Sequence, residues 1–193
     1  TVNPLPATPT ISANGEPTSF CSGESVVLTA SGGTSYSWSN GSSTVGTGLT
    51  YTASAAASYT VTSTDANGCS KTSAPEVVTV HALPTPVINY TTPITFCTGG
   101  SVVLTASGGN GYLWNNGTAN FGNGTSKTIT TSGTYTVVAT NTSFCSVTSA
   151  PIVVTVVADP SITTQATAIT ECVGGTTALT IVAAGGTPSL TYQ

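Results

Sequence analysis

The chain has 193 residues, two Lys or Arg against six Asp or Glu, and a net charge of −4. Only 4% of its residues are charged, against roughly 25% in an ordinary soluble domain; Ser, Thr, Asn and Gly supply the polarity instead. Two cations cannot make the clustered Lys and Arg of a nucleic-acid footprint or of a contact with anionic lipid, and the longest apolar run, Ile152 to Ala158, is too short for a membrane-spanning helix.

The elements fall in chain order. Residues 1–8 are a Pro-containing extended linker, which recurs at His81-Ala82-Leu83-Pro84-Thr85-Pro86 and around Ala158-Asp159-Pro160. Period-two alternation then dominates. Val26, Leu28 and Ala30 alternate with Val27, Thr29 and Ser31; Tyr36 and Trp38 alternate with serines; Tyr59 and Val61 alternate with threonines. This is the pattern of half-buried antiparallel strands. It predicts strands near 9–13, 25–31, 35–39, 43–46, 49–54, 58–64 and 76–81, and again near 85–89, 101–107, 111–115, 118–121, 126–131, 134–141 and 152–157. No apolar 3.6 period appears, so almost no helix is expected. Asn40-Gly41 and Asn116-Gly117 follow the Trp strands and suit tight hairpin turns.

The two sets of strands are copies. Cys21 and Cys97, Trp38 and Trp114, Tyr59 and Tyr135, Cys69 and Cys145, and Pro75 and Pro151 each stand 76 residues apart. A constant offset held by unrelated residue types means tandem domains. The expected organisation is a linker at 1–8, repeat 1 at 9–83, repeat 2 at 84–159 and a partial repeat 3 at 160–193. The third copy holds two strands and the start of another, so the native chain is expected to continue or a second chain to complete it. With no initial Met and no signal-peptide pattern, a mature or internal fragment is expected. Seven short strands per repeat, with a Trp in the third and a Tyr opening the sixth, describe an all-β, seven-stranded immunoglobulin-like sandwich repeated in a head-to-tail array. Trp38, Trp114, Tyr59 and Tyr135 are expected in the cores.

The series Phe20-Cys21-x-Gly23-x-Ser25-Val26-Val27-Leu28-Thr29-Ala30-Ser31-Gly32-Gly33, then Tyr36-x-Trp38-x-Asn40-Gly41, then Ser58-Tyr59-Thr60-Val61, then Cys69-Ser70-x-Thr72-Ser73-Ala74-Pro75, resembles a known repeat. It is similar to the bacterial Ig-like repeat of Bacteroidota surface proteins, the one associated with gliding-motility sorting domains. The resemblance covers residues 9–158 and, more loosely, 160–193. It implies very long cell-surface proteins exported by the type IX system, often adhesins such as the gliding adhesin filament.

Five cysteines at regular spacing, with no Met, point to an oxidising, extracellular setting. Two pairings stay open for Cys21, Cys69, Cys97, Cys145 and Cys172. One is a bond within each repeat, Cys21–Cys69 and Cys97–Cys145, with Cys172 awaiting a partner. The other follows from strand parity. Cys21 lies in the first loop and Cys69 in the sixth, at opposite ends of a sandwich of alternating strands, whereas a disulfide needs Cα atoms within about 7 Å. In a head-to-tail array the first loop of one repeat faces the sixth loop of the next, which offers a bond from Cys21 to Cys145, with Cys97 reaching into the third repeat and Cys69 back to a preceding one.

Catalytic chemistry finds little support in the residues. The one His, His81, has Val157 as its counterpart and reads as an exposed surface residue, so no repeated Ser-His-Asp set exists. The acids Glu16, Glu24, Asp65, Glu76, Asp159 and Glu171 do not recur between copies, which argues against a paired-carboxylate site. Asp65-Ala66-Asn67-Gly68 offers oxygen ligands for Ca²⁺ but reads first as a turn, because its copy is Asn141-Thr142-Ser143-Phe144. Lys71 and Lys127 do not align, which weakens a repeated isopeptide crosslink. No enzyme activity, metal or cofactor is expected. The expected partners are neighbouring repeats, other copies in a fibre, and surface glycans, for which Phe121, Tyr90 and Phe144 are the exposed aromatic candidates. The function expected is that of a shaft segment in an extracellular adhesin or filament; the alternatives are spacer repeats of a secreted polysaccharide-degrading enzyme, or repeats that bind carbohydrate themselves.

Overall fold

The computed structural model describes residues 4–167, 170–178 and 180–185. Every regular element in these residues is a strand. The first repeat contains β1 (Thr10–Ser12), β2 (Ser19–Cys21), β3 (Val26–Ser31), β4 (Ser35–Ser39), β5 (Thr44–Thr47), β6 (Thr50–Ala53), β7 (Ala57–Thr64), β8 (Ser70–Thr72) and β9 (Glu76–His81). The second repeats the set as β10 (Val87–Tyr90), β11 (Thr95–Cys97), β12 (Val102–Ser107), β13 (Gly111–Asn115), β14 (Asn120–Asn123), β15 (Ser126–Ile129), β16 (Gly133–Thr140), β17 (Ser146–Thr148) and β18 (Ile152–Val157). From the partial copy, β19 (Ser161–Thr164) and β20 (Val182–Ala184) pair antiparallel; the expected start of a further strand lies outside the described residues.

The chain forms two compact units. One is Thr1–Leu83 with Thr142–Cys145; the other is Pro84–Asn141 with Ser146–Gln193. The division at Leu83 and Pro84 falls in the Pro-containing linker. In the first unit a three-stranded sheet, β1-β3-β6, faces a larger sheet ordered β2-β9-β7-β4-β5, with β8 also on β7. In the second unit β10-β12-β15 faces β11-β18-β16-β13-β14, with β17 on β16. These are immunoglobulin-like sandwiches.

Alternation builds the cores. On β3, Val26, Leu28 and Ala30 are buried while Val27 and Ser31 are exposed, because successive side chains leave opposite faces of a strand. Leu28, Ala53, Tyr59, Val61, Val78 and the fully buried Trp38 close the first core; Leu104, Ile129, Tyr135, Val137, Val154 and Trp114 close the second. The buried polar atoms of the aromatic residues are paired. The Trp38 indole N–H donates to Gly48 O at 2.9 Å, and that of Trp114 to Gly124 O at 2.8 Å. The Tyr59 hydroxyl donates to Ala55 O, and that of Tyr135 to Thr131 O, both at 3.0 Å. Burial first, then the neighbouring Tyr51, pushes the Tyr59 phenol above its ordinary value, so it remains the donor.

Four three-residue strands, β2, β8, β11 and β17, escape the sequence reading. β2 lies parallel to β9, and β11 to β18. β8 shares an edge of β7 with β9: β7 pairs through Ala57–Tyr59 with β9 and through Thr62–Thr64 with β8. The Ser73-Ala74-Pro75 corner sits between them, and Pro75 has no N–H to give to a ladder. Ser73 fills the gap itself. Its N–H donates to Val61 O at 2.9 Å, and its Oγ accepts from the Val61 N–H at 3.1 Å. Ser149 does the same for Val137 in the second copy, at 2.9 and 3.1 Å. The repeated Ser-Ala-Pro is therefore a ladder device.

The hairpin after each Trp strand is longer than the Asn-Gly pair predicts. Asn40 N–H donates to Ser43 O, and Asn40 Oδ1 accepts from the N–H groups of both Ser42 and Ser43, so a four-residue loop forms. Asn116 repeats this with Thr118 and Ala119. The register shift at Trp38/Ser39 absorbs the extra residues.

Ser63 is buried on β7, and its Oγ has no hydrogen-bond partner among the described residues; its counterpart on β16 is Ala139, also buried. Ser63→Ala is expected to raise the stability of the first unit by about 1 kcal/mol, by removing a desolvated, unpaired hydroxyl. Ser73→Ala, which strips a buried N–H of its acceptor, is expected to lower it by about 1–3 kcal/mol. Urea unfolding of the two variants beside the parent chain checks both signs.

Candidate functional site

The feature that departs from two independent sandwiches is a disulfide between Cys21 and Cys145, residues 124 apart in sequence with Cα atoms 5.7 Å apart. Cys21 ends β2, where it lies opposite His81 of β9. A reverse turn follows: Glu24 N–H donates to Cys21 O at 3.1 Å, and the Glu24 carboxylate accepts from the Cys21 N–H at 3.0 Å. Gly23 takes φ +97° at the third position of this turn, the left-handed setting that a type II turn requires and that glycine meets without strain. Cys145 lies in the loop between β16 and β17 and is 1% exposed. Residues Thr142–Cys145 belong to the first compact unit although they come from the second sequence repeat.

The pairings within repeats, Cys21–Cys69 and Cys97–Cys145, do not form; Cys69, Cys97 and Cys172 are free thiols. Cys69 lies between β7 and β8, level with the last residues of β7, whereas Cys21 neighbours the end of β9 that runs on past the first residues of β7. β7 alone has eight residues and spans about 24 Å at 3.4 Å per step. That is several times the separation a disulfide can bridge.

Phe144 precedes Cys145 with φ +64° and 88% exposure. Its counterpart is Gly68, at φ +80°. The loop keeps its left-handed residue even where a side chain makes that conformation unfavourable by about 1–2 kcal/mol. In the first copy Asp65 Oδ1 accepts from the N–H groups of Asn67 and Cys69, each at 2.9 Å. The oxygen considered for Ca²⁺ therefore organises the turn that presents Cys69. No group of three or more metal-ligating side chains occurs among the described residues.

The other residues singled out in the sequence are dispersed. His81 is half-buried rather than exposed, because β2 pairs beside it; its Nε2 lies 2.8 Å from Ser19 Oγ. Phe121 is half-buried too, with its ring edge-on to Tyr135 at 5.8 Å and Lys127 over it at 5.9 Å. Tyr90 is 40% exposed on β10, in the opposite sheet of that sandwich. A surface groove of ≈450 Å³ in the second unit is lined by Asn110, Tyr112, Asn123, Thr125 and Thr140 among others. The Tyr112 hydroxyl is committed to Gly109, and the groove presents more apolar than polar surface, with Leu113 lining it beside the Asn110 and Asn123 amides. No described helix is long and apolar enough to cross a membrane.

No protein-family model matches the chain, and no curated protein sequence does. Solved structures do. The N-terminal eight Ig domains of Down syndrome cell adhesion molecule isoform 1.30.30 are similar with a TM-score of 0.58 at 16% identity, over 82% of this chain and 25% of that one. Three N-terminal domains of the bacteriophage RB49 highly immunogenic outer capsid protein have a TM-score of 0.45 at 20% identity, over 93% and 69%. The fibronectin(III)-like modules of Clostridium thermocellum CbhA have a TM-score of 0.42 at 15% identity, over 77% and 92%. The first likeness shows the fold: the two units are immunoglobulin-like β-sandwiches.

Proposed function

We propose that the chain is a mechanical segment of an extracellular surface adhesin or filament. The observation that carries this reading is the Cys21–Cys145 disulfide. Any pull between the chain's ends passes from Cys21 to Cys145 through the sulfur–sulfur bond and bypasses residues 22–144. Those residues include nearly all of both cores, so tension reaches a covalent bond before it can draw the cores out. The chain-entropy model gives such a closure about 5 kcal/mol of stabilisation. A disulfide of this kind persists in an oxidising compartment, which supports an extracellular location. The Phe-Cys-x-Gly and Ser-Ala-Pro motifs support a place among the Bacteroidota surface repeats with type IX export. Neutral-glycan contact is a second reading, favoured by a groove that sets the Asn110 and Asn123 amides beside the apolar surface of Tyr112 and Leu113.

Single-molecule extension from the two termini tests the mechanical role. Without reductant, the fully stretched chain is expected to fall short of its contour length by roughly 400 Å, the span of 124 residues at 3.3–3.6 Å each; reductant restores that length. Equal lengths in both conditions would remove the basis for the role. The native polypeptide then separates a shaft, dominated by this 76-residue period, from a spacer beside an unlike, charged catalytic domain.

A further inference from the structure

The cysteines are of two kinds. Cys21, Cys97 and Cys172 each open a Cys-x-Gly-x turn. The residue three further on donates its N–H to the cysteine carbonyl, at 3.1, 3.0 and 2.9 Å, and Gly23, Gly99 and Gly174 take φ of +97°, +86° and +93°. Cys21 and Cys97 also end equivalent strands, β2 and β11, each parallel to the last strand of its sandwich. Cys69 and Cys145 are the second kind. Each lies between the eight-residue strand and the three-residue strand beside it, after a residue with positive φ. The bond that forms joins the turn cysteine of one repeat to the loop cysteine of the next. Applied once within this chain, that rule uses Cys21 and Cys145 and leaves turn cysteines Cys97 and Cys172 and loop cysteine Cys69 as thiols. Cys97 and Cys69 are of opposite kinds, but the bond that forms runs from a turn cysteine to the loop cysteine of the following repeat, and Cys69 belongs to the preceding one. Under the same rule Cys97 needs the loop cysteine of a following repeat, and Cys69 needs the turn cysteine of a preceding one.

We propose that Cys97 and Cys69 are covalent docking sites for further immunoglobulin-like repeats, Cys97 for a loop cysteine of the Cys69 kind and Cys69 for a turn cysteine of the Cys21 kind. One observation carries this beyond the free thiols: Cys21 and Cys145, the repeat-equivalents of Cys97 and Cys69, are bonded to each other. The bond forms by thiol–disulfide exchange. A disulfide-bearing oxidoreductase of the oxidising compartment takes one thiolate into a mixed disulfide. The partner thiolate displaces it, two protons leave the two thiols, and the two electrons remain on the oxidoreductase as a dithiol. The outcome is a staggered series of staples, each from one repeat to the next. The inference does not require the adhesin reading; it requires only that the partner repeat come from the same polypeptide or from a second copy.

The test uses the native polypeptide, purified without reductant, alkylated at low pH, digested and mapped by mass spectrometry. Cys97 is expected to lose its alkylatable thiol and appear crosslinked to a peptide in which Cys precedes a Ser-Ala-Pro segment. Cys69 is expected to appear crosslinked to a peptide carrying Cys-x-Gly. Growth of mixed light- and heavy-isotope chains separates the two sources: mixed-isotope crosslinks identify a second copy, and uniform ones the same polypeptide. Recovery of alkylated Cys97 and Cys69, a uniform-isotope bond between the two within one chain, or adducts with glutathione would overturn the inference. A long array of repeats with alkylated Cys97 would overturn it while leaving the proposed function standing.

Discussion

A disulfide has a short reach, and strand parity decides which cysteines come within it. In each sandwich the turn cysteine and the loop cysteine lie beyond opposite ends of the eight-residue strand, so a repeat cannot close on itself. The bond must leave the repeat. This constraint explains why Cys21 meets Cys145 and why the segment Thr142–Cys145 is part of the first compact unit.

The cores are thin, as small sandwiches must be, and they are finished with neutral groups. With only 4% charged residues, the chain closes its turns and ladders with Ser, Thr, Asn and main-chain groups. Asn40 and Asn116 shape the hairpins, and Ser73 and Ser149 complete the ladder that Pro75 and Pro151 interrupt. Among the described residues Ser63 is the exception, a buried hydroxyl with no partner there, where the second copy carries alanine. Its presence shows that the two copies share a plan without being equally optimised.

Much of this was legible in the residues. Alternation located β3, β7, β12 and β16 to within a residue or two, because six to eight residues hold enough periods to show which face is buried. The same logic placed Trp38, Trp114, Tyr59 and Tyr135 in the interior, where they lie. Three-residue strands hold too few: Ser19-Phe20-Cys21 reads as loop until β9 is seen beside it. His81 read as exposed for the same reason, since its cover comes from the unrecognised β2. The hairpin length escaped because the side chain of Asn40, not its backbone alone, closes the turn. The cysteines were legible only as alternatives, since sequence fixes the strand order but not which chain ends meet. The groove at Asn110 and Asn123 left no signal, because its residues come from separate strands and loops and share no spacing.

Peptide mapping of this 193-residue chain under non-reducing conditions tests the central claim most directly. The account predicts one crosslinked pair within the chain, a peptide containing Cys21 joined to one containing Cys145, with no bond inside one chain from Cys69, Cys97 or Cys172. A peptide joining Cys21 to Cys69, or Cys97 to Cys145, would contradict it, and the tension-bearing role would fall with it.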